Sequence, residues 1–195
     1  MKSFVLALAA SSVLFAVPAL AGDGFAGFNV GVHGGYNFAN DQFEAPGTDF
    51  SGSGDGFIGG LHGGYTASLG ERMLLGAEAE VDWAETKSKV EAGGTTVEIN
   101  QGLGFGASAI VGATLNEDVM AYGKVGYYSA EFEAETNGTA AGDERVGGLK
   151  WGIGTQYMVT EGVSMRGEFS QVRFEETGGV KPVRNALQFG LTKHF

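Results

Sequence analysis

Charged residues recur at two-residue spacing inside several apolar stretches of this sequence, where their side chains would share one face of an extended strand. Four acidic and four basic residues have this placement: Glu78, Glu80, Asp82, Glu168, Lys124, Lys150, Arg166 and Arg184. If all eight face one enclosed interior, they predict a network of buried ion pairs, because an unpaired buried charge is strongly unfavourable.

Two interpretations of this charge network stay open. A structural plug, which we favour, would fill the interior with fixed ion pairs. A gate would instead exchange its ion-pair partners and let small ions pass. The alternation of side chains places the charges on one face but does not say which of them touch.

Histidine and cysteine usage limits other chemistry. The absence of cysteine excludes disulfides, thiolate metal sites and cysteine nucleophiles. His33 and His62 lie on the polar faces of neighbouring predicted strands, where a metal pair and a pair of buried, hydrogen-bonded rings are both conceivable. No third ligand is evident, so we predict no metal, no cofactor and no catalytic residue.

The elements that position these residues alternate with period two. Phe28, Val30 and Val32 are separated by Asn29 and Gly31, which is typical of a strand with one apolar and one polar face. Eight stretches repeat the pattern, over about 27–38, 57–66, 73–83, 103–112, 119–127, 149–159, 163–170 and 184–195.

The links between these stretches alternate in length. Short links are expected at 68–72, 115–118 and 160–162, and long polar links at 39–54, 84–95, 133–144 and 175–182. Short turns at one end and long loops at the other are typical of barrels that cross a membrane with paired strands. The sequence therefore predicts an all-β fold, an eight-stranded antiparallel up-and-down transmembrane β-barrel.

Aromatic residues gather where the two membrane interfaces should lie. Four are expected at each end: Phe28, Tyr65, Tyr157 and Phe195 at the short turns, and Phe38, Phe57, Trp83 and Phe132 at the loops. The alternative is a soluble β-sandwich or lipocalin-like barrel with its apolar face inward. Glycine, serine and charges of both signs crowd the polar face, which suits a narrow filled lumen better.

The composition and the first residues of the chain indicate where the protein is located. The net charge of −11 gives no electrostatic footprint for nucleic acid. A secretory signal peptide is predicted over residues 1–21 from Lys2, the apolar run from Phe4 to Val17 and the small residues before Gly22. The barrel is then predicted over residues 22–195. The run is shorter than the roughly 20 residues of a membrane-spanning helix.

Three segments resemble the small outer-membrane barrels of Gram-negative bacteria: the opening strand Gly27-Phe-Asn-Val-Gly-Val32, the strand 122–127 and the ending 189–195. Within these barrels the resemblance is to the OmpA/OmpX/Opa-like group and to the alphaproteobacterial porin family. The resemblance implies a place in the outer membrane among lipid and lipopolysaccharide. It also implies that Phe195, Leu191 and Phe189 form a signal read by the barrel-insertion machinery. Lys193 stands where an apolar or aromatic residue is usual.

We expect a structural role in envelope integrity and surface presentation, with a narrow porin or a surface adhesin as alternatives. We predict no enzyme, because lipid A-modifying or omptin-like barrels would need a histidine on the lipid-facing surface or at the extracellular rim. The predicted loops could also bind a surface ligand or divalent cations through their acidic residues: Asp41, Glu44, Asp49, Asp55, Glu85, Glu91, Glu131, Glu133, Glu135, Asp143, Glu144, Glu175 and Glu176.

Overall fold

The structure, a computed structural model, describes residues 24–39, 55–92, 95–136, 139–175 and 183–195. The predicted signal peptide and nearly all of the links 39–54 and 175–182 lie outside the described residues. Among the described residues no helix is long and apolar enough to cross a membrane.

Eight antiparallel strands form a closed barrel in which each strand pairs with its neighbours in the chain and β1 pairs with β8. The strands are β1 (Gly27–Ala39), β2 (Gly56–Ser68), β3 (Met73–Ala92), β4 (Thr95–Thr114), β5 (Val119–Thr136), β6 (Thr139–Thr160), β7 (Val163–Phe174) and β8 (Val183–His194). The predicted fold class is confirmed.

The barrel turns its apolar face outward and its polar face inward. Val32 on β1 and Ile153 on β6 leave 53% and 59% of their surface exposed, whereas Glu80 on β3 is 5% exposed. A soluble barrel would have the opposite arrangement, so the soluble alternative is wrong. The outward apolar residues give the barrel a surface suited to lipid.

Two of the four long links predicted from the sequence are wrong. β3 runs to Ala92 and β4 begins at Thr95, while β5 runs to Thr136 and β6 begins at Thr139. The polar residues there extend the backbone ladder, because strand pairing needs main-chain hydrogen bonds and not apolar side chains. Seven predicted loop acids therefore lie on strands: Glu85, Glu91, Glu131, Glu133, Glu135, Asp143 and Glu144.

The prediction of an aromatic girdle, a ring of aromatic residues at each membrane interface, needs one correction. Phe57, Trp83 and Phe195 are exposed on the outer surface, as the girdle requires. Phe132, by contrast, packs against Phe174, whose side chain is only 5% exposed. The alternation of β5 is unbroken from Tyr128 to this position, so Phe132 points inward and not toward lipid.

Glycines on the inner wall make room for particular long side chains. A Cβ atom at Gly104 would collide with the Tyr128 hydroxyl, and one at Gly154 would lie 2.5 Å from the Tyr122 hydroxyl. Glycine also supplies positive φ in two short turns, at Gly70 and Gly162. The many glycines of the polar face thus follow from filling a narrow barrel with large residues.

We predict that Gly104→Val lowers the free energy of unfolding by about 1–3 kcal/mol, because the Tyr128 side chain, which leans over Gly104 from the neighbouring strand β5, must move. The matched control is Gly34→Val on the outer face, where the nearest atom to an added Cβ is the Ile58 carbonyl oxygen at 3.7 Å. Urea unfolding of the barrel refolded into lipid vesicles measures both. Equal losses for the two variants would contradict this account of the inner glycines.

Candidate functional site

Lys124, on β5, lies at the centre of the charges inside the barrel. Its Nζ is 3.2 Å from Glu78 Oε1, 3.2 Å from Glu80 Oε2 and 2.8 Å from Glu168 Oε1. Lys150 on β6 forms a second ion pair with Glu80. One ammonium group therefore connects carboxylates on β3 and β7 across the full width of the lumen.

Arg166 on β7 closes this network from the other side. Its Nη1 is 2.7 Å from Glu78 Oε2 and its Nη2 is 2.5 Å from Glu168 Oε2. Arg166 Nε donates to the Tyr122 hydroxyl, which in turn donates to Glu168 Oε2. We call the six charged residues the ionic layer: Glu78, Glu80, Glu168, Lys124, Lys150 and Arg166.

The ionic layer has three acidic and three basic groups and is formally neutral, with every member at most 6% exposed. Charges removed from water are tolerated when they pair closely and satisfy their remaining hydrogen-bonding capacity. Two shared carboxylates, Glu78 and Glu168, each contact both Lys124 and Arg166. The layer is therefore one connected network and not a set of separate pairs.

Asp82, one of the eight predicted charges, lies outside the ionic layer. Its Oδ1 is 2.7 Å from His33 Nε2, and His33 Nδ1 is 3.3 Å from His62 Nδ1. His62 Nε2 is 2.9 Å from the Thr192 hydroxyl. A chain of hydrogen bonds thus runs from β3 through β1 and β2 to β8.

With both rings neutral, one placement of the ring protons satisfies every contact in this chain. His33 donates from Nε2 to the Asp82 carboxylate, so its Nδ1 accepts from Nδ1–H of His62, and Thr192 donates to His62 Nε2. The ring centroids are 5.5 Å apart, which is close to the nitrogen separation plus the two ring radii. The two Nδ1 atoms therefore face one another in a hydrogen bond.

The sequence left open whether His33 and His62 bind a metal ion together or form a hydrogen-bonded pair. The two Nδ1 atoms are 3.3 Å apart, a distance that fits a hydrogen bond and also two ligand nitrogens of a tetrahedral zinc ion, so the distance alone does not decide between them. Among the described residues no group of three histidine, aspartate or glutamate side chains could hold a metal ion. The hydrogen bonds to Asp82 and Thr192 hold the two rings in place without a metal ion.

Arg184, the eighth predicted charge, has aromatic neighbours. Its guanidinium lies 4.6 Å from the ring centre of Tyr128 and 5.6 Å from that of Phe174. It forms no ion pair with any residue in the described parts of the chain. The cation is thus held over two aromatic rings. The sequence alternation could place Arg184 on the inner wall but could not identify these two rings as its partners.

Two apolar clusters, which the sequence reasoning missed, lie on either side of the charges. The lower cluster, near the short turns, is Phe25, Leu74, Ile110, Met120 and Tyr122. The upper cluster, toward the other end, is Tyr128, Ala130, Val172 and Phe174, with Phe132 and Val146 packed against it. The sequence does contain a pattern that could have predicted both clusters, since apolar residues occupy inward positions of β3, β5 and β7 near the strand ends.

Two tyrosines join these clusters to the ionic layer. Tyr122 belongs to the lower cluster and carries the hydroxyl that contacts Arg166. Tyr128 belongs to the upper cluster, and Lys150 Nζ lies 5.1 Å from its ring centre. Phe25, just before β1, is 1% exposed and meets His194 edge to face.

The space left inside is small. A cavity of about 10 Å³ is lined by charged and polar side chains: His33, Glu78, Glu80, Lys124, Arg166, Glu168 and Gln188. A volume of this size is at the lower limit for one water molecule. The arrangement can hold charges in place, but it offers no room for a solute.

The predicted insertion-signal residues lie on the outer face at the end of the chain. Phe189, Leu191 and Phe195 are exposed toward the lipid side, and the Phe195 amide donates to the Phe28 carbonyl oxygen at 2.9 Å. Lys193 shares this outward face. Their part in insertion stays a prediction.

Comparison with known proteins decides the family. The sequence model of the outer membrane protein beta-barrel domain family matches residues 7–195. The chain belongs to this family. The protein is accordingly an outer-membrane β-barrel, which confirms the resemblance drawn from the sequence and the predicted location.

Relatives and solved structures agree with this assignment. The 31 kDa outer-membrane immunogenic proteins of Brucella melitensis and Brucella suis are each 27% identical over 209 residues, covering 87% of this chain and 85% of theirs. Neisserial surface protein A has a TM-score of 0.61 at 19% identity, covering 87% of this chain and 98% of its own. OprG of Pseudomonas aeruginosa has a TM-score of 0.51 at 13% identity, covering 89% and 99%. The two structures support the barrel fold.

For the ionic layer of this outer-membrane barrel, we predict that Lys124→Met lowers the free energy of unfolding by about 3–5 kcal/mol, because three buried carboxylates lose a shared partner at nearly constant side-chain volume. Arg145→Met removes a pair with Glu131 in which the arginine side chain is 47% exposed, and should cost under about 1 kcal/mol. Urea unfolding in vesicles compares them. A Lys124→Met loss no larger than the control's would show that the network contributes little.

For the histidine chain, we predict that ¹⁵N NMR finds the proton of His33 on Nε2 and that of His62 on Nδ1. Zn²⁺ added to the refolded barrel should leave both sets of signals in place, since the described residues place no third ligand beside the two rings. Asp82→Asn is expected to shift the His33 signals most, because it removes the charge that His33 contacts directly. The opposite proton positions, or a Zn²⁺-dependent shift of both rings, would refute the assignment.

Proposed function

We propose that the protein is a non-conducting structural barrel that supports the integrity of the outer membrane and presents its loop-end surface to the exterior. The observation that carries the proposal is the layered filling of the lumen. The ionic layer lies between the lower and upper apolar clusters, and Tyr122 and Tyr128 connect the three.

The ionic layer supports a plug better than a gate. Each carboxylate of the layer has at least two cationic partners: Glu78 and Glu168 share Lys124 and Arg166, and Glu80 contacts Lys124 and Lys150. Exchange of partners would leave at least one charge unpaired in a space of low dielectric constant, which is strongly unfavourable. The cavity of about 10 Å³ among these groups is at the lower limit for one water molecule, so no solute-sized space lies beside the charged side chains.

The apolar clusters add a second barrier. A hydrated ion entering from the short-turn side would meet Phe25 and Leu74, which are 1% and 0% exposed. From the other side it would meet Tyr128 and Phe174. An ion stripped of water among such side chains has no compensating partner, so both ends oppose conduction as well as the middle.

The inner histidines support a non-enzymatic role. The Ser164 hydroxyl lies 2.9 Å from His194 Nε2 and also donates to Gln156 Oε1. A serine nucleophile would need its histidine oriented by a carboxylate, and His194 Nδ1 has no hydrogen-bond partner among the described residues. The pair therefore serves to satisfy buried polar groups between β6, β7 and β8.

The test is electrical recording of residues 22–195 refolded into planar lipid bilayers. We expect insertion without steady, resolvable openings, because the lumen is filled at three levels. Insertion is checked separately by protection of the strands from protease in vesicles of the same lipid. Steady openings whose size changes in Arg166→Ala or Lys124→Ala would overturn the plug and establish the narrow porin instead.

A further inference from the structure

A groove of about 520 Å³ indents the outer surface of the barrel near the short turns. Aliphatic side chains from three neighbouring strands and the first residue of β7 form most of its wall: Val30, Val32, Leu61, Leu191 and Val163. Gly31, His62 and Thr192 also line it. The groove lies on the face that the barrel turns toward lipid.

Lys193 is the basic residue of this lining. It stands opposite Val30 on β1 and Val163 on β7, with its side chain exposed on the outer face. The Lys193 ammonium reaches the turn at Gly162 between β6 and β7. No residue in the described parts of the chain forms an ion pair with it, so the cation at the rim of an apolar groove is available to an external anion.

The leaflet follows from the orientation of the barrel. In outer-membrane barrels the short turns face the periplasm, so the groove opens toward the inner leaflet. The ends of lysine side chains at such depths reach up to the polar headgroup region while their methylenes stay among apolar neighbours. An occupant with an apolar chain and an anionic group near the membrane surface therefore matches both parts of the site.

We propose that this groove holds one anionic phospholipid, with an acyl chain along Val32, Leu61 and Leu191 and the phosphate paired with Lys193. The aliphatic lining and the single rim cation complement a phospholipid in apolarity and charge. The proposal also gives a role to the lysine that interrupts the apolar pattern of the last strand. It depends on the barrel's place in the membrane and not on whether the lumen conducts.

The test is native mass spectrometry of the barrel released from vesicles of equal parts phosphatidylglycerol and phosphatidylcholine. Wild type should retain one phosphatidylglycerol in preference to phosphatidylcholine, and Lys193→Gln should lose about fivefold of that preference, as expected for one basic residue near an anionic surface. Lys193→Arg should keep it. Arg173→Gln, which removes an exposed cation near the other end of β7, is the matched control and should also keep it.

The apolar half of the site has its own matched pair. Val32→Trp fills the groove and should reduce retention of either lipid, whereas Val125→Trp, at an outward valine of the same 53% exposure on β5, should not. Equal preference in wild type and Lys193→Gln, or an equal loss in Arg173→Gln, would overturn the headgroup contact. Equal retention in the two tryptophan variants would overturn the groove.

Discussion

Every other feature of this structure depends on the pairing of backbone amides inside a membrane. Hydrocarbon offers no partner for an N–H or C=O group, so the pairing of β1 with β8 removes the last open edges of the sheet. An eight-stranded barrel encloses an interior just wide enough for side chains. Closure therefore fixes both surfaces at once: the outside must be apolar, and the inside must be filled by the chain itself.

Filling the interior explains the composition of the chain better than any active site does. Long residues such as Arg166, Tyr122 and Tyr128 extend into the lumen, and glycines on the strands next to theirs give them space. Because the ionic layer is formally neutral and its carboxylates are shared between cations, the charges satisfy one another without bulk water. The apolar clusters then separate this layer from the aqueous compartments at both ends.

Strand alternation and the short links were enough to predict the fold and the inward face of the charges. They could not pair the charges, because contacts inside the lumen depend on strand tilt and on where a neighbouring strand carries glycine. Asp82 shows this: its place on β3 follows from alternation, but its contact with His33 depends on Gly60, whose missing side chain leaves room for both groups. The extended ends of β3 to β6 were missed because their polar residues lack the apolar alternation that marks a strand in lipid.

The ionic layer contributes more to the choice of register than to net stability. A well-packed apolar interior can be as stable as a buried ion network, so stability alone does not require six charges. A slip of β3 by one residue, however, would turn Glu78 and Glu80 toward lipid and bring Ala77 and Ala79 inward. Charges on β5, β6 and β7 impose the same penalty on a slip of those strands, since each would face hydrocarbon without a partner. Four strands are thus held in register by residues that an apolar core could not replace.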